Sequence, residues 1–437
     1  VMLQQPKWPL AVRSSSLLED SSHQPFAGVY ATYMLANDHP DPVVRLKRVL
    51  EAIKLVYAST YYRRAKAYVA ATPSTIEDER MAVVIQDLVG DEVNGRFYPT
   101  ISGAARSRNH YPIEPLVAEE GIAAICIGLG RQVSNGGKCL RYSPGQPRRI
   151  HQFHSNQATL DTSQRNFFAI PMRQEDGEVH ADEEDNLLNL GLAEAEEDGC
   201  LALVGSTYVV SDDRMIDSLA VDGGPRVVTF APVLKHGRFP LSEILSHVLN
   251  TCQNYIGSPV ELEFAMSINQ DSGRQRFAIL QVRPMMEESV DIDIDLADVD
   301  RSKAMCICSQ SLGNGVIEGI RDVVYVHPER LDRMRTTDLI SEIAAIDAAL
   351  RAEDRAYVLI GPGRWGSSDP SLGIPAQWEH IMGSSVIVEV PMTDIHVEPS
   401  QGTHFFQNII TFNIGYLTIG PDDFVDWEWL DSIAAST

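Results

Sequence analysis

The chain has 437 residues, 44% of them hydrophobic and 22% charged, which is typical of a soluble globular protein with two or three domains. Its 60 Asp and Glu against 36 Lys and Arg give a formal net charge of −24, which disfavours nucleic acid and anionic membranes as partners. No apolar run approaches the ~20 residues of a membrane span, and the six cysteines indicate neither a disulfide framework nor a zinc site. We expect a cytoplasmic protein, and we expect the chain to begin inside a larger one, because its first residues do not resemble a natural start.

The first elements predicted in chain order are a strand, a loop, a helix and a second strand. Residues 9–13 predict a short strand that leads into a loop rich in Ser and Asp and ending at Gly28. Apolar residues then recur at helical spacing, which predicts a helix with one buried face. That face comprises Leu46, Val49, Leu50, Ile53, Val56 and Tyr57. The apolar run at 81–86 predicts a strand covered on both faces.

The elements that follow mix strands with a helix, so we predict an α+β fold. Strands are expected at 123–127, 201–210, 227–230, 260–266 and 277–282, and a helix at 241–255. Residues 174–199 are dense in Glu and Asp and indicate a solvated surface.

Acidic and aliphatic residues alternate at 287–295, a pattern typical of an exposed edge strand or an extended linker. We therefore predict a first domain at 1–290, an acidic linker at 291–302 and a small α/β domain at 303–437. Within the second domain we expect a helix at 338–353 with Ile340, Ile343, Ile346 and Leu350 on one side, and strands at 357–360, 386–390 and 409–419.

One candidate site begins with Arg13, which stands at the predicted end of a strand before Ser14, Ser15 and the loop that closes at Gly28. A guanidinium can fork two phosphate oxygens while hydroxyl and backbone N–H groups bind the others. The segment is therefore suited to a polyphosphate. An ordinary surface loop is the alternative.

A second candidate site lies on the strands predicted at 260–266 and 277–282. Alternation puts Glu261 and Glu263 on one face of the first strand, and Gln281 and Arg283 on one face of the second. If the strands pair, a carboxylate and an amide oxygen can meet on Mg²⁺, which prefers oxygen ligands. A surface ion pair across the strands is the alternative.

Four ordered motifs resemble the ATP-binding domain of the pyruvate phosphate dikinase and phosphoenolpyruvate synthase family. They are LAVRSSSLLEDSSHQPFAG at 10–28, AVVIQDLVG at 82–90, IGLGRQVSNG at 127–136, and VELEFAM with ILQVRPM within 260–285. The similarity covers residues 8–286 and implies the ATP-grasp fold, here without its N-terminal part. It also implies an ATP-dependent phosphotransferase that uses Mg²⁺.

The resemblance also assigns roles to individual residues. Arg13 would bind phosphate, with Ser14 and Ser15 in a mobile lid at 14–28. Glu263 and Gln281 would be magnesium ligands, and Arg283 would steady the transferring phosphate. Adenine would contact a hinge strand formed by Gln86, Asp87, Leu88 and Val89.

Some family features differ in this sequence. The family's phosphate-contacting lysine lies well upstream of the first motif, but only Lys7 precedes that motif here, and it is too close to match. Arg131 stands where the family has Glu, and Glu261 stands where it has Asp. The TxGGxTxHxA phosphohistidine motif does not occur. Two functions therefore remain open: phosphoryl transfer to an unidentified acceptor, and nucleotide sensing without transfer.

The C-terminal region is similar to uncharacterised synthase-like bacterial proteins and contributes two further candidates. Arg364 follows a predicted strand in the glycine-rich stretch at 361–366 and could fork a phosphate or carboxylate. His404, expected in a loop, could act as a phosphoacceptor or base. We predict that the two face one cleft that holds a small anionic acceptor such as pyruvate or phosphate. A structural ion pair for Arg364 and a buried histidine are the alternatives.

Overall fold

The protein is described here by a computed structural model covering residues 8–16, 28–70, 79–173, 178–221, 223–269, 272–285, 300–313, 315–332, 335–392 and 403–434. The chain divides into two compact units, 1–285 and 286–437. Of the linker predicted at 291–302, residues 291–299 lie outside the described part of the chain. Helices and strands are mixed throughout, which confirms the α+β class. In these ranges, none of the helices is both long and apolar enough to cross a bilayer.

The first unit contains short strands in several sheets, joined by helices. Its strands are β1 Leu10–Ser16, β2 Thr32–Leu35, β3 Met81–Asp87, β4 Asp91–Val93, β5 Arg96–Tyr98, β6 Ile101–Arg106, β7 Ile122–Cys126, β8 Leu140–Tyr142, β9 Asn166–Pro171, β10 Leu188–Gly191, β11 Gly205–Val209, β12 Arg214–Ile216, β13 Arg226–Val228, β14 Val260–Ile268 and β15 Gln275–Pro284. Its helices are α1 Pro42–Ser59, α2 Arg63–Ala70, α3 Arg131–Ser134, α4 Asn156–Thr162, α5 Leu192–Glu197, α6 Ala231–Leu234 and α7 Leu241–Ile256.

Two antiparallel sheets of this unit matter for the site. The larger has the order β15-β14-β6-β7-β8, and one of its faces packs on the main core, to which Leu245 and Leu249 of α7 also belong. The smaller has the order β2-β1-β3, and α1 packs against it. The N-terminus of α1 is fixed by Asp41, whose carboxylate accepts the N–H of Val43, and by a proline in the first turn.

Of two expectations for the smaller sheet, one is only partly right and the other is wrong. Val49 and Val56 of α1 are buried as expected, whereas Leu46, Leu50 and Tyr57 are exposed. Ser59 is buried because its hydroxyl donates to the Val56 carbonyl and accepts the Ala31 N–H. The expectation for β3 is wrong, because alternate residues along it are exposed and the strand is therefore not covered on both faces.

Two strand predictions also change in extent. The segment expected as one strand at 201–210 contains a short 3-10 helix, Cys200–Leu203, before β11 begins. The strand expected at 227–230 is β13, and the chain turns at Phe230 into α6.

The second unit is built on one mainly parallel sheet. Its strands are β16 Cys306–Ile307, β17 Gln310–Leu312, β18 Asp322–Tyr325, β19 Tyr357–Pro362, β20 Arg364–Trp365, β21 Gly373–Ile374, β22 Ser384–Val390, β23 Gly415–Thr418 and β24 Phe424–Val425. Its helices are α8 Thr336–Ala352, α9 His404–Thr411 and α10 Trp427–Ala434. The sheet order is β17-β23-β22-β19-β18, in which β23, β22, β19 and β18 run parallel. Helix α8 connects β18 to β19, and α9 lies between β22 and β23.

The strand predicted at 409–419 is wrong. Helix α9 occupies its first part, because Thr403 caps the helix by accepting the N–H of Phe406 at 3.0 Å, and only 415–418 form a strand. Within α8, Ile343 is buried as expected but Ile346 is exposed. Asp347 is buried instead, where its carboxylate accepts bonds from the Tyr357 hydroxyl at 2.9 Å and the Gly383 N–H at 2.7 Å.

Candidate functional site

One face of the five-stranded sheet carries charged and amide side chains in two rows. Directly opposite residues on neighbouring strands point to the same face. The first row is Gln281, Glu263, Ala104, Ala124 and Arg141, and the second is Arg283, Glu261, Arg106 and Ile122. The opposite face contributes Leu262, Ala105, Ile125 and Leu140 to the main core. Strands β14 and β15 therefore pair, as a cation site formed by Glu263 and Gln281 requires.

Strand β1 brings Arg13 to this face. Its Nη2 donates to Gln281 Oε1 at 2.7 Å, and its Nη1 lies 3.8 Å from Glu263 Oε2. Three candidate residues from distant parts of the sequence thus meet at one point. Alternation along β1 puts Ser15 on the same side as Arg13, whereas Ser14 is buried on the opposite side, toward α1. Ser14 is therefore separated from the group, and lid residues 17–27 lie outside the described part.

A buried ion triad lies beside this group. Glu261 Oε1 accepts from Arg283 Nε at 3.0 Å and Nη2 at 2.5 Å, and its Oε2 accepts from Arg106 Nε at 2.5 Å. Burial alone would raise the pKa of Glu261, but the two guanidinium groups outweigh it and hold that pKa well below its ordinary value. Glu261 is therefore ionised at neutral pH, and the two hydrogen bonds from Arg283 to its Oε1 fix the orientation of that guanidinium.

The oxygen atoms near Arg13 fit a hard cation in type. Glu263 offers a half-exposed carboxylate and Gln281 an amide oxygen. No group of three or more His, Cys, Asp or Glu side chains suited to a metal occurs in the described ranges. A cation held by Glu263 and Gln281 would therefore need further ligands from phosphate and water, which is common for Mg²⁺.

The predicted hinge lies where β3 ends, with Gln86 facing β15. The Gln86 amide donates to the Leu280 carbonyl at 3.4 Å. Leu88 is tied to the start of β1, because its N–H donates to the Pro9 carbonyl at 2.9 Å and its own carbonyl accepts from the Trp8 indole at 2.6 Å. Val89 is buried. A base could bond to the Leu88 N–H only by displacing the Pro9 carbonyl, whereas the Leu88 carbonyl can still accept a second hydrogen bond.

Arg131, which replaces a glutamate of the family pattern, begins the short helix α3. Its guanidinium lies 3.0 Å from Glu183 and 3.3 Å from Glu184, and Arg64 is 3.7 Å from Glu183. The substitution thus places a positive charge in a local ion-pair network within the acidic segment.

The profile of the pyruvate phosphate dikinase AMP/ATP-binding domain matches residues 2–303. The chain belongs to this family. The match includes Arg13, Glu263, Gln281 and Arg283, and it supports a kinase-like protein that binds ATP. Among curated proteins, none matches the chain.

Arg106 and Arg141 are two residues of the polar face that the sequence analysis did not identify. Arg106 is buried and bonded to Glu261, which is 155 positions away in the sequence. Arg141 is also buried, and it closes the row that begins at Gln281. The sequence did contain a signal for Arg106 and Arg141: each stands in an apolar segment, and an arginine that is buried in a strand needs a partner for its charge.

In the second unit, Arg364 and His404 occupy different surroundings from those expected. Arg364 is buried in β20, opposite Gly373 of β21, and is not on an open loop. His404 is the first residue of α9, where its Nδ1 lies 3.2 Å from Gln407 Oε1. Their two segments touch, since a Cβ added at Gly366 would lie 2.3 Å from the Phe405 ring. The shared cleft stays a prediction.

The glycines around Arg364 are required by packing. A Cβ at Gly361 would lie 2.4 Å from the Trp365 ring, and one at Gly363 would lie 2.5 Å from the Leu372 carbonyl. Gly363 and Gly366 also have φ of 69° and 77°, which side chains rarely adopt. Close contact within the protein therefore explains these glycines, where the sequence suggested the approach of a ligand.

Proposed function

We propose that the chain is an ATP-dependent phosphotransferase whose first unit is an ATP-grasp domain. The proposal rests on the contacts of Arg13 with Glu263 and Gln281, which place a guanidinium that can bind phosphate beside two oxygen donors that can bind a metal ion. Arg283 adds a second guanidinium, held in place by Glu261. The family match supports ATP as the ligand.

Catalysis at such a site depends on positioning and on the neutralisation of charge. Arg13 and Arg283 would bind phosphate oxygens of ATP, and Glu263 and Gln281 would hold Mg²⁺. When bound, Mg²⁺ would neutralise charge on the phosphate chain. The segment Gln86–Val89 would lie against adenine, with Leu88 contributing apolar contact because its N–H is bonded to the Pro9 carbonyl.

The acceptor in this proposal is a small anion such as pyruvate or phosphate, bound in the second unit. Arg364 is the group suited to fork a carboxylate or phosphate, and His404 is suited to accept a proton or a phosphoryl group. The contact between Gly366 and Phe405 supports a common location for their segments.

A nucleotide sensor is the second candidate, favoured by one observation. Arg131 stands in place of the family glutamate and pairs with Glu183. In this case ATP would bind without phosphoryl transfer.

Incubation with Mg²⁺ and ATP, with and without pyruvate or phosphate, separates the two functions. A phosphotransferase forms ADP or AMP faster when its acceptor is present, and Glu263→Gln should abolish the difference. Arg108→Ala is the matched control, because Arg108 forms an exposed ion pair with Glu119 away from the site. Tight ATP binding without turnover would favour the sensor, and the absence of ATP binding would reject both.

A further inference from the structure

The guanidinium of Arg13 lies between the two oxygen donors assigned to the cation. Its Nη2 is 2.7 Å from Gln281 Oε1, and its Nη1 is 3.8 Å from Glu263 Oε2. These two oxygens belong to directly opposite residues of β14 and β15. A cation bound to both would compete with a guanidinium that is hydrogen-bonded to Gln281 and ion-paired with Glu263.

We infer that Arg13 and a divalent metal compete for Glu263 and Gln281, because the guanidinium contacts both oxygens to which the metal would bind. The inference rests on the proposed function for the assignment of these two residues as metal ligands. Two positive charges at one pair of oxygens repel each other strongly in a partly buried site. Metal alone therefore binds weakly.

The ion triad removes the other carboxylate from metal binding. Both oxygens of Glu261 accept short bonds from Arg106 and Arg283, so this carboxylate offers no alternative site to which the metal could shift. ATP changes the balance, because its phosphates supply anionic partners for Arg13 and further oxygen ligands for the metal. Nucleotide and metal then bind together, and the guanidinium moves from Gln281 to phosphate.

Titration with Mn²⁺ alone, followed by calorimetry and by the electron paramagnetic resonance signal of unbound metal, tests the competition. Arg13→Met keeps the aliphatic stem and removes the charge. We expect this variant to bind Mn²⁺ at least about tenfold more tightly than the unmodified chain, because a like charge at contact distance is gone. The gain should disappear in the double variant Arg13→Met/Glu263→Gln.

Arg108→Met is the matched control, since it removes the same charge from an exposed ion pair with Glu119 and should leave Mn²⁺ affinity unchanged. Arg13→Gln is a second variant for the case in which Arg13→Met does not fold, because its amide can still donate to Gln281. Arg13→Gln should also bind Mn²⁺ more tightly than the unmodified chain does.

Unchanged or weaker Mn²⁺ binding in the folded Arg13 variants would overturn the inference, as would a gain that survives the Glu263→Gln substitution. ATP titration of the unmodified chain separates this result from failure of the proposed function. A chain that binds ATP but shows no Mn²⁺ gain contradicts only the competition. A gain in Mn²⁺ affinity without any ATP binding supports the competition and rejects the phosphotransferase.

Discussion

At the scale of single residues, the buried carboxylate of Glu261 organises the polar face. It sits between Arg106 and Arg283, which approach its two oxygens from strands on either side of β14. Removing one partner from a buried ion pair costs about 3–5 kcal/mol, because a buried charge is left uncompensated. Glu261 therefore links the stability of the sheet to the orientation of Arg283.

This link predicts a pH dependence of stability. The pKa of Glu261 in the folded protein lies below its ordinary value of 4.5, so its stabilising contribution is complete above that pH and is lost as the pH falls. We expect Glu261→Gln to lower the free energy of unfolding at pH 7 and to flatten its decline between about pH 5 and 3. Chemical denaturation at several pH values measures both effects.

Glu119→Gln is the control for this substitution, because Glu119 forms an exposed ion pair with Arg108. It should change stability by less than about 1 kcal/mol at any of these pH values. An equal effect of the two substitutions would show that the triad does not stabilise the fold.

At the scale of elements, the contact between the turn after β20 and helix α9 organises the second unit. Gly366 has φ of 77°, and an added Cβ would lie 2.3 Å from the Phe405 ring. Trp378 packs on the same helix, 6.1 Å from Phe405 and 5.0 Å from Phe412 between ring centroids. The turn, the helix and the tryptophan thus form one packed region next to Arg364 and His404.

We expect Gly366→Ala to destabilise the second unit by more than Gly319→Ala does. Both glycines have positive φ, but nothing lies within 4 Å of a Cβ at Gly319, so the difference isolates the clash with Phe405. Overpacking of this kind typically costs about 1–3 kcal/mol. Thermal unfolding of the two variants measures it, and equal melting temperatures would contradict the described packing.

The sequence predicted those elements whose pattern is local. Alternation placed Glu261 and Glu263 on one face of β14 and Gln281 and Arg283 on one face of β15, and the helix at 241–256 was expected almost to its ends. The buried face of α1 was predicted only in part, because Ser59 is buried through hydrogen bonds to Val56 and Ala31, which hydrophobicity does not reveal. The strand expected at 409–419 begins instead as helix α9, which the cap at Thr403 favours.

The site was predictable only in part, for a related reason. Arg13, Glu263, Gln281 and Arg283 follow family motifs, whereas Arg106 has its role through a partner 155 residues away. No local pattern reports such a pairing. The side of β1 on which Ser14 lies depends in the same way on where the strand packs.

At the scale of the whole molecule, the net charge of −24 contrasts with the arginine-rich face of the first unit. Anionic ligands are repelled by the average field of such a protein, so their binding must come from local groups. In the second unit, Arg364 is the group proposed for this purpose. We therefore expect its substitution to leave the ATP site unaffected.

We expect His404→Ala and Arg364→Lys to weaken the binding of pyruvate or phosphate without changing ATP affinity. Lys keeps the charge of Arg364 but loses the planar fork, so a loss of binding would indicate bidentate recognition. Calorimetric titration with each anion measures this. Unaltered anion affinity in both folded variants would leave Arg364 and His404 with structural roles only.

The measurement that tests the central claim most directly is ATP affinity with and without Mg²⁺, for the unmodified chain and for Glu263→Gln. If Glu263 and Gln281 hold the metal of the nucleotide complex, the substitution weakens binding of ATP with Mg²⁺ much more than binding of ATP alone. Loss of a charge-assisted contact is worth about 1.5–3 kcal/mol, or roughly tenfold or more in affinity. A fall by the same factor in both conditions would contradict the account, because Glu263 would then not be a metal ligand.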